Sequence, residues 1–193
     1  RESLKLVPSL KTLSLDLSGC NKITDKGFDN IRNALIPLTS LQDFSLVLKG
    51  CKQITDKGLE DIKAGLILLP SLKELSLDLT GCNKITDESL DKIKNALLSL
   101  ISLQYLSLDF EHCKQITDKG LDEFKNSLHL LPGLQDLFLN FNNCEKITDK
   151  GLDEIKNALV SLASLRHLSL YSNKCQQITD EGLDHIKNAL VSL

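Results

Sequence analysis

The sequence predicts an α/β solenoid in which one parallel β-sheet packs against a layer of α-helices. Two observations predict this fold. The stretch around each cysteine repeats a strand-like pattern followed by a helix-like one. The cysteines themselves recur every 31 residues, at Cys20, Cys51, Cys82, Cys113, Cys144 and Cys175. Self-similarity at a fixed period of this length is typical of a stacked repeat array.

The same spacing aligns an isoleucine followed by Thr-Asp in every unit, at positions 23, 54, 85, 116, 147 and 178. We therefore treat residues 1–193 as a single array of six units. Their expected bounds are about 9–39, 40–70, 71–101, 102–132, 133–163 and 164–193. Residues 1–8 align with the end of a helix and are expected to be a helix-end stub.

Each unit is expected to begin with a strand. In the first unit, apolar and polar residues alternate through Leu13, Leu15 and Leu17, which is the period of a strand with one buried face. The strand is expected from about Thr12 to Leu17. An equivalent strand returns one unit later, so neighbouring strands are expected to pair in parallel.

A helix is expected after each cysteine. Thr24 or Asp25 offers a side-chain oxygen to the first free amides of that helix. An apolar stripe at helical spacing then faces the sheet, at Phe28, Ile31, Leu35 and Leu38. Opposite charges three residues apart are expected to pair on the outer face: Asp29 with Arg32, Glu60 with Lys63, Asp91 with Lys94, Asp122 with Lys125, Asp153 with Lys156 and Asp184 with Lys187.

The pattern Leu10-x-x-Leu13-x-Leu15-x-Leu17-x-x-Cys20-x-x-Ile23-Thr-Asp-x-Gly27-Phe28 resembles the cysteine-containing leucine-rich repeat. This type is known from the substrate-recognition arms of F-box ubiquitin ligases, and the long unit also resembles arrays of ribonuclease-inhibitor type. The resemblance implies a right-handed leucine-rich-repeat solenoid, or horseshoe, with the sheet on the concave face and helices on the convex face. The unit of 31 residues is longer than the family's usual one.

The cysteines allow three interpretations. As in the family, each thiol is expected to pack as a small apolar group and to bond weakly to loop backbone. Disulfides are less favoured, because equivalent positions imply equivalent environments rather than pairs. Metal binding is disfavoured by spacing, since no Cys-x-x-Cys occurs. Reduced thiols indicate the cytosol or the nucleus, and we expect a cytoplasmic protein.

Catalysis finds little support in the sequence. Asp25 has an equivalent in every unit, which is typical of a structural cap and not of a single active site. A Cys-His pair at His112 and Cys113 is conceivable, but Cys113 belongs to the repeated and buried column. We expect neither an enzyme nor a cofactor.

Composition narrows the range of partners. The 23 Lys and Arg against 26 Asp and Glu give a net charge of −3, which lacks the basic excess of most nucleic-acid binders. No apolar stretch reaches the ~18 residues of a membrane-spanning helix. The chain contains no Met, so we expect an excerpt of a longer or processed polypeptide.

The outward face of the sheet is the predicted site. If the strand leucines point inward, residues 12, 14, 16 and 18 of the first unit, and their equivalents, point outward. Seven of these positions are acidic and one is Lys49. The residues expected to contact a partner are Tyr105, Phe138, Tyr171, Asp109, Asp136, Glu74, Asp78 and Asn140.

These residues favour a non-catalytic scaffold that binds a basic or amphipathic protein segment. The alternative that the acids only keep the array soluble stays open. Two further hypotheses concern regions beyond the face: head-to-tail self-association through uncapped ends, and a ubiquitin-ligase recognition arm whose F-box lies outside this chain.

Overall fold

The computed structural model describes residues 9–192, and the expected stub at 1–8 lies outside them. The strands are β1 (Thr12–Asp16), β2 (Asp43–Val47), β3 (Glu74–Asp78), β4 (Tyr105–Asp109), β5 (Asp136–Asn140) and β6 (His167–Tyr171). The helices are α1 (Phe28–Leu35), α2 (Asp56–Leu66), α3 (Asp87–Leu97), α4 (Asp118–Leu128), α5 (Asp149–Leu159) and α6 (Asp180–Ser192).

The strands form one parallel sheet in the order β1-β2-β3-β4-β5-β6. Each strand residue pairs with the residue 31 positions later, as in Leu46 with Leu77. β1 ends one residue earlier than predicted, although the Leu17 amide still donates to the Val47 carbonyl at 2.8 Å. The open parallel sheet with alternating helices confirms the predicted α/β solenoid.

The core lies between the sheet and the helices. The second and fourth residues of β2 to β5 are buried, and each helix turns an apolar stripe toward them. In the first unit Phe28, Leu35 and Leu38 are buried and Ile31 is partly buried against the core, which confirms the predicted stripe. Where phenylalanine replaces leucine, at Phe110 and Phe141, the rings stack with centroids 5.7 Å apart.

Five cysteines form a buried ladder. Each thiol donates to a backbone carbonyl 34 positions earlier, as from Cys113 to Leu79 at 3.2 Å. All six cysteines are free thiols, and Cys20 is exposed. Burial raises the pKa of the Cys82 and Cys144 thiols to about 12. The five buried cysteines are therefore packing residues, as the family interpretation predicts, whereas the exposed Cys20 departs from that expectation.

The Thr-Asp pair links neighbouring units, which the sequence did not reveal. In the second to fifth units the threonine side chain accepts the amide two residues later and caps the helix. The aspartate does not cap its own helix: Asp25 accepts the Thr55 amide at 2.9 Å and the Thr55 hydroxyl at 2.7 Å. In the first unit Thr24 makes no capping bond, and a 3-10 turn at Asp25–Gly27 precedes α1.

The outer face of the helices carries ion pairs. All six predicted pairs are present. Others cross between units, such as Arg32 with Asp61 at 2.9 Å and Lys94 with Glu123 at 3.0 Å. Because these pairs are partly solvated, each contributes at most about 0.5 kcal/mol, and together they make the convex face polar.

Candidate interaction surface

The concave surface consists of the first, third and fifth residues of each strand, which point away from the helices. Of the side chains in these positions none is Lys or Arg, and six are acidic: Asp16, Asp43, Glu74, Asp78, Asp109 and Asp136. Carboxylates on one face of a parallel sheet reinforce each other's potential. This surface is therefore strongly acidic although the whole chain has a net charge of only −3.

Two of the three predicted aromatic residues lie together. Phe138 on β5 and Tyr171 on β6 have ring centroids 5.4 Å apart, with planes inclined by 45°. Tyr171 is 43% exposed, so the pair offers apolar area to a partner. We call Phe138 and Tyr171 the aromatic pair. Among the described residues, no ring contact joins Tyr105 to this pair.

Tyr105 borders a different feature of the same surface. A shallow groove of about 160 Å³ crosses β1 to β4 and ends at this tyrosine. Its floor is a row of serines, and Asp43 and Glu74 lie at its rim. We call it the serine groove, and its lining is Thr12, Leu13, Ser14, Asp43, Phe44, Ser45, Glu74, Ser76 and Tyr105.

Several predicted contact residues also shape the strand ends. The fifth residue of four strands accepts the amide two positions later, at 2.8–3.0 Å, which forms a side-chain turn. The hydroxyl and amide of Ser18 lower the pKa of Asp16 in this way. Asp109 is further fixed by the Thr80 hydroxyl at 3.0 Å and the Asn140 amide at 2.9 Å.

Asn140 requires a correction. The side chain is only 6% exposed, because its amide lies against Asp109 and its carbonyl oxygen accepts the Asn142 amide at 3.0 Å. It therefore has little surface for a partner. The other predicted residues are at least partly accessible, with Glu74 and Tyr171 the most open, and Asp136 bonds His167 Nδ1 at 2.6 Å.

Grooves also lie between neighbouring helices. One of about 410 Å³ separates the starts of α3 and α4, and another of about 410 Å³ separates the starts of α1 and α2. Because such grooves recur with the repeat, they reflect helix spacing rather than a unique site. The described residues contain no cluster of three or more His, Cys, Asp or Glu side chains placed to hold a metal ion.

The family comparison agrees with the repeat geometry. The model of the Leucine Rich repeat family matches residues 9–31, 70–94 and 103–125, and each match spans a strand and the beginning of the following helix. The chain is a leucine-rich repeat protein. The other units of the leucine-rich repeat array carry the same pattern at the same 31-residue spacing.

Two solved structures are similar to this leucine-rich repeat array, and the first of them shares its fold. One is the crystal structure of the Rad7 and Elc1 complex in yeast, with 24% identity, a TM-score of 0.55, and coverage of 86% of this chain and 37% of that chain. Another is the TLR13–ssRNA13 complex, with 14% identity, a TM-score of 0.29, and coverage of 86% and 33%. The array thus spans about a third of either chain. A comparison with curated proteins gives no match.

Within the described part of the array, no helix is both long enough and apolar enough to cross a membrane.

Proposed function

We propose that this array is a non-catalytic protein-interaction scaffold whose concave surface binds a basic or amphipathic protein segment. The observation that carries the proposal is an acidic sheet face beside an aromatic pair in which Phe138 is half-buried and Tyr171 is exposed. Carboxylates steer a basic partner and reject acidic ones. Exposed aromatic side chains are frequent anchors of protein interfaces.

The two parts of the concave surface have different roles in this proposal. The aromatic pair, Phe138 and Tyr171, takes an apolar side chain of the segment. The serine groove has small side chains at its floor, so the extended backbone of the bound segment can approach the sheet closely. Glu74 and Asp136 bind Lys or Arg side chains of the segment. Asp109 acts mainly by fixing the ends of β3 and β4.

The fold supports a binding role, and the structure with the higher TM-score is itself a complex of two proteins. We further propose a cytoplasmic location, because a ladder of free buried thiols suits a reducing compartment.

The test is a selection of peptides displayed on phage against the intact chain. One variant reverses concave charges, Glu74→Lys with Asp136→Lys, and a second truncates the aromatic pair, Phe138→Ala with Tyr171→Ala. The control, Glu88→Lys with Glu123→Lys, makes the same charge change on exposed helix positions. We expect the wild type and the control to enrich peptides rich in Lys or Arg with apolar residues.

We expect both concave variants to lose this enrichment while their circular dichroism is unchanged. Enrichment that survives in both concave variants, or that disappears equally in the control, would contradict the proposal.

A further inference from the structure

Exposed aliphatic side chains are concentrated on one edge of the array. Of the eleven large apolar residues that are exposed in the described structure, seven lie just after the end of a helix, in the turn toward the next strand. We call this set the apolar edge: Ile36, Ile67, Leu68, Leu98, Ile101, Leu130 and Val160. Contiguous exposed apolar surface of this kind marks an interaction site.

The apolar edge is also free of negative charge. None of the 26 acidic residues falls within the turn segments 33–42, 64–73, 95–104, 126–135 and 157–166. By contrast, the helix surfaces carry a network of ion pairs and the concave surface carries six carboxylates. Desolvating this edge therefore buries few charges, unlike desolvating either neighbouring surface.

We infer that the apolar edge is the interface of a symmetric dimer, in which a second copy of this chain packs its own apolar edge against the first. The edge repeats at the spacing of the units, and a second copy offers rows at the same spacing. Two such edges related by a two-fold axis place apolar rows against apolar rows. Their low charge removes the repulsion that would arise between two concave or two convex faces.

The exposed area of the apolar edge suits contact with a second copy of the chain. Its seven side chains are between 41% and 68% exposed. At roughly 200 Å² for a whole large aliphatic residue they present on the order of 600 Å², most of the ~800 Å² per partner of a standard interface. In the antiparallel arrangement, Ile67 of one copy meets Val160 of the other. Ile101 and Leu130 come from the two middle units and lie nearest the axis.

This dimer leaves the concave surface of each copy open, so dimerisation through the apolar edge does not depend on the proposed function. Loss of peptide binding and loss of the dimer are separate results, since the variants for each lie on different surfaces.

The test is the mass of the full chain in solution, measured by sedimentation velocity from ~1 to ~300 μM, a range that detects micromolar affinity. The edge variant is Ile101→Glu with Leu130→Glu. The control is Leu183→Glu, which places a single glutamate on a leucine of α6 that is 62% exposed but lies off the edge. Both variants change exposed positions, so their thermal unfolding is expected to match the wild type.

We expect the wild type and Leu183→Glu to form dimers with similar dissociation constants, and the edge variant to dissociate at least tenfold more readily. A wild-type chain that stays monomeric across the range would overturn the inference. So would growth beyond the dimer, or a dimer lost in Leu183→Glu and kept in the edge variant, because these results indicate stacking through the ends of the array.

Discussion

The carboxylate of Asp56 accepts both the backbone amide of Thr86, at 2.9 Å, and its hydroxyl, at 2.8 Å, from the next unit. The same bonds recur from Asp25 through Asp149. Gly120 leaves room for the equivalent Asp87 contact, since an added Cβ would lie 2.5 Å from Asp87 Oδ1, whereas beside Asp56 the equivalent residue is Ser89, whose hydroxyl donates to the carboxylate. We call this pair of hydrogen bonds, from the threonine amide and hydroxyl to the aspartate of the preceding unit, the clamp. The clamp therefore fixes each helix to the preceding unit.

Asp87→Ala is expected to destabilise the array. The substitution leaves the amide and hydroxyl of Thr117 without their partner, which costs about 1–3 kcal/mol of unfolding free energy. Asp180→Ala, at the equivalent position of the last unit, is the control, because no such bonds are made by Asp180 in the described chain. Urea unfolding measures both, and equal losses would show that the clamp contributes nothing.

The clamp should also make stability depend on acid pH. Hydrogen bonds from the Thr179 hydroxyl and amide lower the pKa of Asp149 relative to the unfolded chain. The stability that ionised Asp149 contributes to the folded array is therefore complete above the pKa of this group in the unfolded chain. It disappears as the pH falls through the lower pKa of the folded state. Unfolding free energies measured between pH 7 and pH 2 should decline less steeply in Asp149→Asn than in the wild type. Parallel curves for the two proteins would contradict this assignment.

The turn after each strand requires a left-handed backbone. Gly50 has a φ of 72°, while Lys174, at the equivalent position of the last unit, has a φ of 62°. We expect Lys174→Gly to stabilise the array and Gly50→Ala to destabilise it, each by about 1 kcal/mol, because side chains disfavour this conformation. No atom lies within 4 Å of a Cβ built on Gly50, so the effect is confined to the backbone. Thermal denaturation that shifts both variants in the same direction would refute this explanation.

The thiols should differ sharply in reactivity. Cys20 is exposed, whereas the other five are buried and hydrogen bonded. An aromatic disulfide reagent should therefore modify one thiol in the native chain and six after denaturation. Cys20→Ser should abolish the native reaction, and rapid native modification of more than one thiol would be inconsistent with the buried ladder.

The repeat made most of the fold predictable. A strict period aligns every strand and helix, so the register of the sheet and the direction of each strand residue follow from the first unit. The role of Asp25 could not be predicted in the same way, because its partner Thr55 belongs to another unit and the contact depends on how units stack.

The site was predictable in outline and less so in detail. Alternation correctly placed Glu74, Phe138 and Tyr171 on the outward face. The alternation does not indicate how deeply an outward side chain is buried, so it did not predict the burial of Asn140 between Asp109 and the strand end. An Asp or Asn at the end of a strand is a signal for a side-chain turn, and it would have separated Asp109 and Asn140 from the accessible acids.

Photo-crosslinking tests most directly whether recognition occurs on the concave surface. A photoreactive side chain is placed at Ser107, on the outward face of β4, or in the control at the exposed Asn126 of α4. A basic peptide obtained by selection is then irradiated with each protein. The account predicts crosslinking from position 107 that Glu74→Lys with Asp136→Lys abolishes, and none above background from position 126. Equal or stronger crosslinking from position 126 would contradict it.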